Sequence, residues 1–275
     1  MKSQSSLFDL VFSILAGLLV LFVILPLAST LLATTPQQIW QNLLDPEVLH
    51  SILLTFGAAV IATSLGLFTG VPLAYLLARR RFRFKRLVEA VINLPVVIPH
   101  TAAGVALLMV FGRRGLLGQW LTPLGITFTD NLGGIVVAML FVSLPFLVNM
   151  SRESFRLVDE ELERVALIDG ASRWQAFWLV TLPLAWRGVL GGAVMMWARG
   201  ISEFGAVVIL AYHPKIMPVL IYERFEGLGL DAALPAAVLL ILAVLIVFSL
   251  LSLALLPDKD GEIKSSLAST PHKRT

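Results

Sequence analysis

Six apolar segments, each long enough to cross a bilayer, mark this 275-residue chain as an all-α integral membrane protein with six transmembrane helices. The composition agrees, at 57% hydrophobic against 14% charged residues with a mean hydropathy of +0.87, well outside the soluble globular range. The third observation is one amphipathic stretch, "ELERVALIDGASRWQAFWLVTLP" (Glu161–Pro183), lying between two of the apolar runs. Its charges do not belong in a bilayer core, and its two tryptophans and phenylalanine need something to bury against.

The spans follow in order. Leu10–Ala33 comes after one lysine in the manner of a signal peptide, but it exceeds the usual apolar core of one and is expected to be retained, with a kink at Pro26. Ser51–Ala78 is the second span. Val88–Phe111 is the third and contains Pro95 and Pro99 beside His100 and Thr101. Proline removes a backbone donor and bends a helix, and the freed carbonyls are tolerated only where protein or water satisfies them. Either a structural kink, with His100 bonded to neighbouring backbone, or a helix break lining a pathway meets that condition. Gly133–Met150, Gly188–Ala211 and Leu234–Leu256 complete the set.

Lysine and arginine set the orientation. Sixteen of the 21 fall in the N-terminus, the loop "RRRFRFKR" (Arg79–Arg86), the segment Ser151–Arg187 and the C-terminal tail. Both termini, the arginine loop and the amphipathic stretch are therefore expected in the cytoplasm. The arginine loop itself needs no role beyond anchoring the topology against anionic lipid. No span resembles an inverted copy of another, so a symmetric pathway would need a second subunit.

Much chemistry is absent. The chain has no cysteine, and its four histidines lack metal-ligand spacing, so no metal or catalytic site is expected. There is no phosphate-binding G-x-x-x-x-G-K-[ST] loop, no G-x-S-x-G elbow and nothing that points to nucleic acid. Energy for uphill transport must come from a gradient or from another protein.

Within the amphipathic stretch, Asp159, Glu160, Glu161 and Glu163 suit the positive end of a helix dipole. A break is expected at Gly170, after Asp169, and Ser172 with Gln175 has capping-box spacing for a second short helix. Ala171, Trp174, Phe177 and Trp178 then share one stripe, and Pro183 marks entry to the fifth span. Amphipathicity alone allows a helix lying among lipid headgroups or one docking into a groove of another protein. In the fifth span, "WARGISEFGAVV" (Trp197–Val208) puts Arg199 and Glu203 at i, i+4 with Ser202 between them. Charges at that depth must pair or face water, as an internal lock or as a substrate contact.

Glu163, Val165, Ala166 and Gly170, followed nine residues later by "VTLP" (Val180–Pro183), resemble the cytoplasmic signature of ABC importer permeases. Valine replaces both the isoleucine and the first alanine of that signature, and Glu163 stands one place early. The resemblance implies a type I ABC importer transmembrane domain over residues 49–256, after an N-terminal helix and external loop at 1–48, with a disordered cytoplasmic tail at 257–275. It implies a coupling helix that docks on a separate ATPase through Glu163, Ala166, Asp169, Gly170, Ala171, Trp174, Phe177, Trp178 and Pro183. The implied assembly is a permease homodimer, two ATPase subunits that bind ATP and Mg, and an extracytoplasmic oxyanion-binding protein, in the plasma membrane of a bacterium or archaeon. Pro99, His100, Thr101, Arg199, Ser202 and Glu203 are the expected pathway or gate residues.

Three longer stretches, "LPVVIPHTAAGVALL", "GIVVAMLFVSLPF" and "WARGISEFGAVVILAY", look most similar to molybdate/tungstate permeases, and sulfate permeases share shorter versions. Arg113 and Arg114 would lend positive potential at the outer mouth. A gradient-driven transporter using His100, Arg199 and Glu203 is the rival mechanism, and a membrane scaffold without flux is a third.

Overall fold

The computed structural model describes residues 7–255, every regular element of which is helical. In chain order the α-helices are α1 (Leu7–Leu32), α2 (Pro36–Leu43), α3 (Pro46–Arg79), α4 (Lys85–Val97), α5 (His100–Phe111), α6 (Gly118–Leu121), α7 (Leu132–Leu157), α8 (Glu160–Ile168), α9 (Arg173–Ala176), α10 (Leu182–Ile201), α11 (Gly205–Leu210), α12 (Met217–Leu228) and α13 (Leu230–Leu255). Among the described residues five helical runs are long and apolar enough to cross a membrane, or six if the bent pair α4–α5 counts as one. The expected tail at 257–275 lies outside the described residues.

The chain divides into two compact units. One comprises α1, α2 and α13, in which α13 packs on α2 and touches α1. The other, Leu44–Gly227, holds every candidate site residue. At its centre α3, α7 and α10 pack against one another. Lipid offers no hydrophobic drive for helices to associate, so small residues do the work by letting backbones approach. Ala58, Ala59, Ala62 and Ala74 of α3 and Gly192, Ala193 and Gly200 of α10 are all buried. A Cβ added at Gly66 would meet the Met196 side chain at 2.5 Å, and one at Gly192 would meet the Leu147 carbonyl oxygen at 3.1 Å.

The third span takes one of its two expected forms, and the fifth departs from expectation. The third is not a kinked rod: α4 and α5 meet at 116° across Ile98 and Pro99. Proline at the start of α5 gives up no bond, because the first N–H groups of a helix have no partner within it. The fifth begins before Pro183, in a continuous helical run from Arg173 to Ile201 that passes through a π-helical stretch at Phe177–Thr181. Its other end is interrupted at Ser202–Phe204, and α11 follows.

At the Asp45 end of α3, ion pairs tie the helix to the segment around α12. Arg224 donates to Asp45 at 2.7 Å, and Lys215 donates to Glu47 at 2.9 Å and to Glu223 at 2.6 Å. Tyr212 adds a 2.7 Å bond to Glu223. The Lys215 ammonium, and then the Tyr212 hydroxyl, hold the Glu223 carboxyl below its ordinary value. Bonds to Glu223 and Glu47 raise Lys215 in turn. Glu223 contributes stability above the usual carboxylate range that is lost as pH falls through its lowered value, and Lys215 contributes stability that is lost as pH rises through its raised one.

Thermal unfolding in detergent should therefore show a plateau from neutral to mildly alkaline pH. Lys215→Met should lower that plateau by no more than about 1 kcal/mol per lost pair, since the partners are half-exposed. The difference from the wild-type protein should vanish in acid. An equal deficit at every pH would mean that the lysine contributes packing and not charge.

Candidate functional site

Two clusters of predicted residues lie in the larger unit. The first is the helix–turn–helix between α7 and α10. Asp159 caps α8 by accepting a 2.9 Å bond from the Glu161 N–H, and three glutamates in the first turn complement the dipole. Gly170 ends the helix at φ +93°, where Ala171 N–H reaches the Ala166 carbonyl at 2.9 Å and Gly170 N–H reaches the Leu167 carbonyl at 3.2 Å. This two-bond closure is a Schellman turn, and a side chain at 170 would strain it. Ser172 and Gln175 then form the expected capping box, with bonds of 2.8 and 3.2 Å.

The site residues of this segment separate by direction. Asp169 and Gly170 are exposed at the turn, and Ala166 and Ala171 are half-buried. Trp174 is 71% exposed, whereas Phe177 turns inward against Tyr75, with ring centroids 4.9 Å apart. Pro183 follows the π-helical stretch, in the first turn of α10.

Glu163 also faces inward, with a side chain only 14% exposed. Its Oε1 accepts from Arg79 Nε at 2.8 Å and from the Thr181 hydroxyl at 2.7 Å, and its Oε2 accepts from the Tyr75 hydroxyl at 3.1 Å. Arg79 also donates to the Val158 carbonyl at 2.8 Å. One carboxylate thus fastens α8 to the end of α3 and to the start of α10. The sequence held no sign of Arg79, Tyr75 or Thr181 as partners, because they lie 18 to 88 residues from Glu163. It also passed over Ile168, which is 82% exposed at the tip of α8.

The second cluster joins the two interrupted spans. Glu203, in the break after α10, is fully buried, yet its carboxylate is well partnered. Oε1 accepts from the Ala206 N–H at 2.9 Å, in the first turn of α11. Oε2 lies 3.0 Å from Arg199 Nη2 and 3.0 Å from His100 Nδ1. Arg199 Nη2 is also 2.8 Å from His100 Nε2, and Nη1 donates to the Ser202 hydroxyl at 3.0 Å. Arg199 Nη2 lies nearer still to His100 Nδ1, at 2.6 Å, so the guanidinium and the Glu203 carboxylate meet the same imidazole.

Of the two readings left open for the third span, the structure displays a helix break, and His100 bonds to side chains instead of backbone. Pro99 and Thr101 are exposed beside it. Glycines let the breaks touch. A Cβ at Gly205 would stand 2.8 Å from His100 Cβ, and one at Gly104 would stand 2.8 Å from Ile209 Cβ. Among the described residues no group of three or more His, Asp or Glu side chains is placed to hold a metal ion.

A membrane-embedded helical core with broken spans, and a capped helix–turn–helix between two spans, defines a type I ABC importer transmembrane domain. A solved bacterial alginate ABC transporter has that fold at TM-score 0.67 and 18% identity, covering 87% of this chain and 91% of that one. The chain belongs to the family described as binding-protein-dependent transport system inner membrane component, whose profile matches residues 66–257. Two relatives, both molybdate/tungstate transport system permease proteins, align along most of their length. That of Pyrococcus furiosus is 44% identical and covers 86% of this chain and 91% of its own. That of Thermococcus kodakarensis is 40% identical, with 87% and 93% covered.

Removing Arg199 strands a buried carboxylate, whereas removing both charges strands nothing. Arg199→Met should cost about 3–5 kcal/mol in detergent stability, and Arg199→Met/Glu203→Gln markedly less. Strict additivity of the two single changes in a thermal-melt cycle would show that the pair does not interact.

Proposed function

We propose that this chain is the membrane-spanning permease subunit of an ATP-driven importer for molybdate and tungstate. The observation that carries the substrate is the 44% identity to a molybdate/tungstate permease along nearly the full length of both chains. Selection among anions falls to an extracytoplasmic oxyanion-binding protein, because a pathway must hold its cargo weakly enough to release it. The Arg199–Glu203–His100 cluster fits that requirement: its cation is already committed to a carboxylate, so a passing dianion meets no free arginine there.

In this reading two copies of the chain line the pathway and two ATPase subunits, which bind ATP and Mg and carry out all hydrolysis, dock on the α8 turns. The termini and the arginine loop lie in the cytoplasm of a bacterial or archaeal cell, a placement that the distribution of basic residues supports. Domain limits of 1–48, 49–256 and 257–275 belong to the same proposal. Asp169, Gly170 and the neighbouring Ile168 meet the ATPase. Glu163, Ala166, Ala171, Phe177 and Pro183 set the position of that tip, and Trp174 and Trp178 flank it. Closure of the ATPase pair draws the α8 tips together, and the Glu163 bonds carry that movement into α3 and α10. Pro99, His100, Thr101, Arg199, Ser202 and Glu203 form the gate, which opens by rearranging the charged cluster.

Reconstitution with the cognate ATPase and binding protein should give ATP-dependent uptake of molybdate and tungstate, with sulfate poor. A preference for sulfate would overturn the substrate. Uptake indifferent to ATP but abolished by dissipating an ion gradient would overturn the mechanism. In the same complex Ile168→Asp should abolish ATPase association without impairing membrane insertion, and retained association would move the docking face elsewhere.

A further inference from the structure

Beside the Glu163 network lies a cleft of two adjoining chambers, which the transport mechanism does not use. The larger, about 400 Å³, is lined by Leu67, Phe68 and Val71 of α3 and by Phe177, Trp178 and Leu182 across from them. That volume falls within the range of small-ligand sites, roughly 300–1,000 Å³. The smaller chamber, about 160 Å³, is polar and basic. Tyr75, Arg80 and Arg173 line both chambers and so mark the boundary between them. Four arginines (Arg79, Arg80, Arg164 and Arg173) and two glutamates (Glu160 and Glu163) border the polar chamber, an excess of two positive charges. Arg79 is committed to Glu163, whereas Arg80, Arg164 and Arg173 make no ion pair among the described residues.

We propose that this cleft binds one anionic phospholipid, its phosphate on Arg80 and Arg173 and one acyl chain in the apolar chamber. Three features select that occupant. The basic chamber sits at the Arg79 end of α3, where a span reaches the headgroups. The apolar chamber continues toward the middle of the span, as an acyl chain does. Trp174 and Trp178 line the apolar chamber next to Arg173, a pairing of aromatic and basic side chains that suits a membrane interface. A free phosphate would fill the small chamber and leave the large one empty. A bound lipid would span α3 and the α9–α10 junction, the same two elements that Glu163 joins. The inference stands whatever anion the transporter carries.

The test uses the full-length protein in phosphatidylcholine vesicles, with phosphatidylglycerol or further phosphatidylcholine added as the brominated lipid. With the other four tryptophans (Trp40, Trp120, Trp186 and Trp197) replaced by phenylalanine, bromine on the acyl chains quenches Trp174 and Trp178 on contact. Brominated phosphatidylglycerol should quench more strongly at equal mole fraction, and Arg80→Gln/Arg173→Gln should erase that preference, roughly fivefold per arginine removed. Arg81→Gln/Arg83→Gln, in the same loop but outside the cleft, should keep it. Val71→Phe, which narrows the apolar chamber, should weaken quenching by both lipids. Inorganic phosphate, compared with chloride at matched ionic strength, should leave the preference in place. Four results would overturn the proposal: preference surviving the cleft substitutions; equal loss in the loop variant, indicating a diffuse basic surface; removal by phosphate alone, indicating a free-anion site; or no quenching, as expected if a second copy or another protein covers the cleft.

Discussion

A membrane offers no solvent for a broken helix, and this constraint governs the larger unit. Two spans are interrupted, at Ile98–Pro99 and at Ser202–Phe204, and each interruption exposes backbone groups that lipid cannot satisfy. One carboxylate links the two breaks. Glu203 bonds the Ala206 N–H at the start of α11 and the His100 ring at the start of α5, while Arg199 neutralises it. The close approach of α5 and α11, with glycines at 104 and 205, follows from the need to bring the breaks within reach of that single side chain.

A second carboxylate does comparable work at the other end of α10. Glu163 holds Thr181, just before α10, together with Tyr75 and Arg79 near the end of α3. A helix of 20 residues, about 30 Å long, therefore has a carboxylate-centred cluster at each end. Between them, small residues bring α10 into close contact with α3 and α7, so its backbone has little freedom to bend independently of the core. The inward turn of Glu163 leaves the α8 tip, Ile168 to Gly170, as the protruding part of the segment.

What the residues alone disclosed were the local features. The i, i+4 pairing of Arg199 with Glu203, the turn at Gly170 and the Ser172–Gln175 box all depend on neighbours within a few positions, and all three are found in the structure. Five of the six apolar runs likewise fall on helices long enough to span, and the sixth on the bent pair α4–α5, because hydropathy over about 20 residues is a one-dimensional property. Long-range partners were not legible. Nothing in "RRRFRFKR" distinguishes Arg79, buried against Glu163, from the exposed arginines that follow it. His100 was visible as an oddity in an apolar run, but only the 116° bend brings it to Glu203. Nor was the continuous run through Pro183 legible, because a π-helical register precedes the proline, and that register has no simple sequence signature.

The most direct test of this account is hydrogen–deuterium exchange at the two breaks, comparing the wild-type protein with Glu203→Gln in lipid nanodiscs. If Glu203 holds the breaks together, amides from His100 through Ala103 and from Phe204 through Val207 should exchange faster in the variant, while those of α3 and α7 keep their protection. Unchanged exchange at both breaks would contradict the account, for it would mean that packing alone holds the interrupted helices and the buried carboxylate is dispensable to the fold.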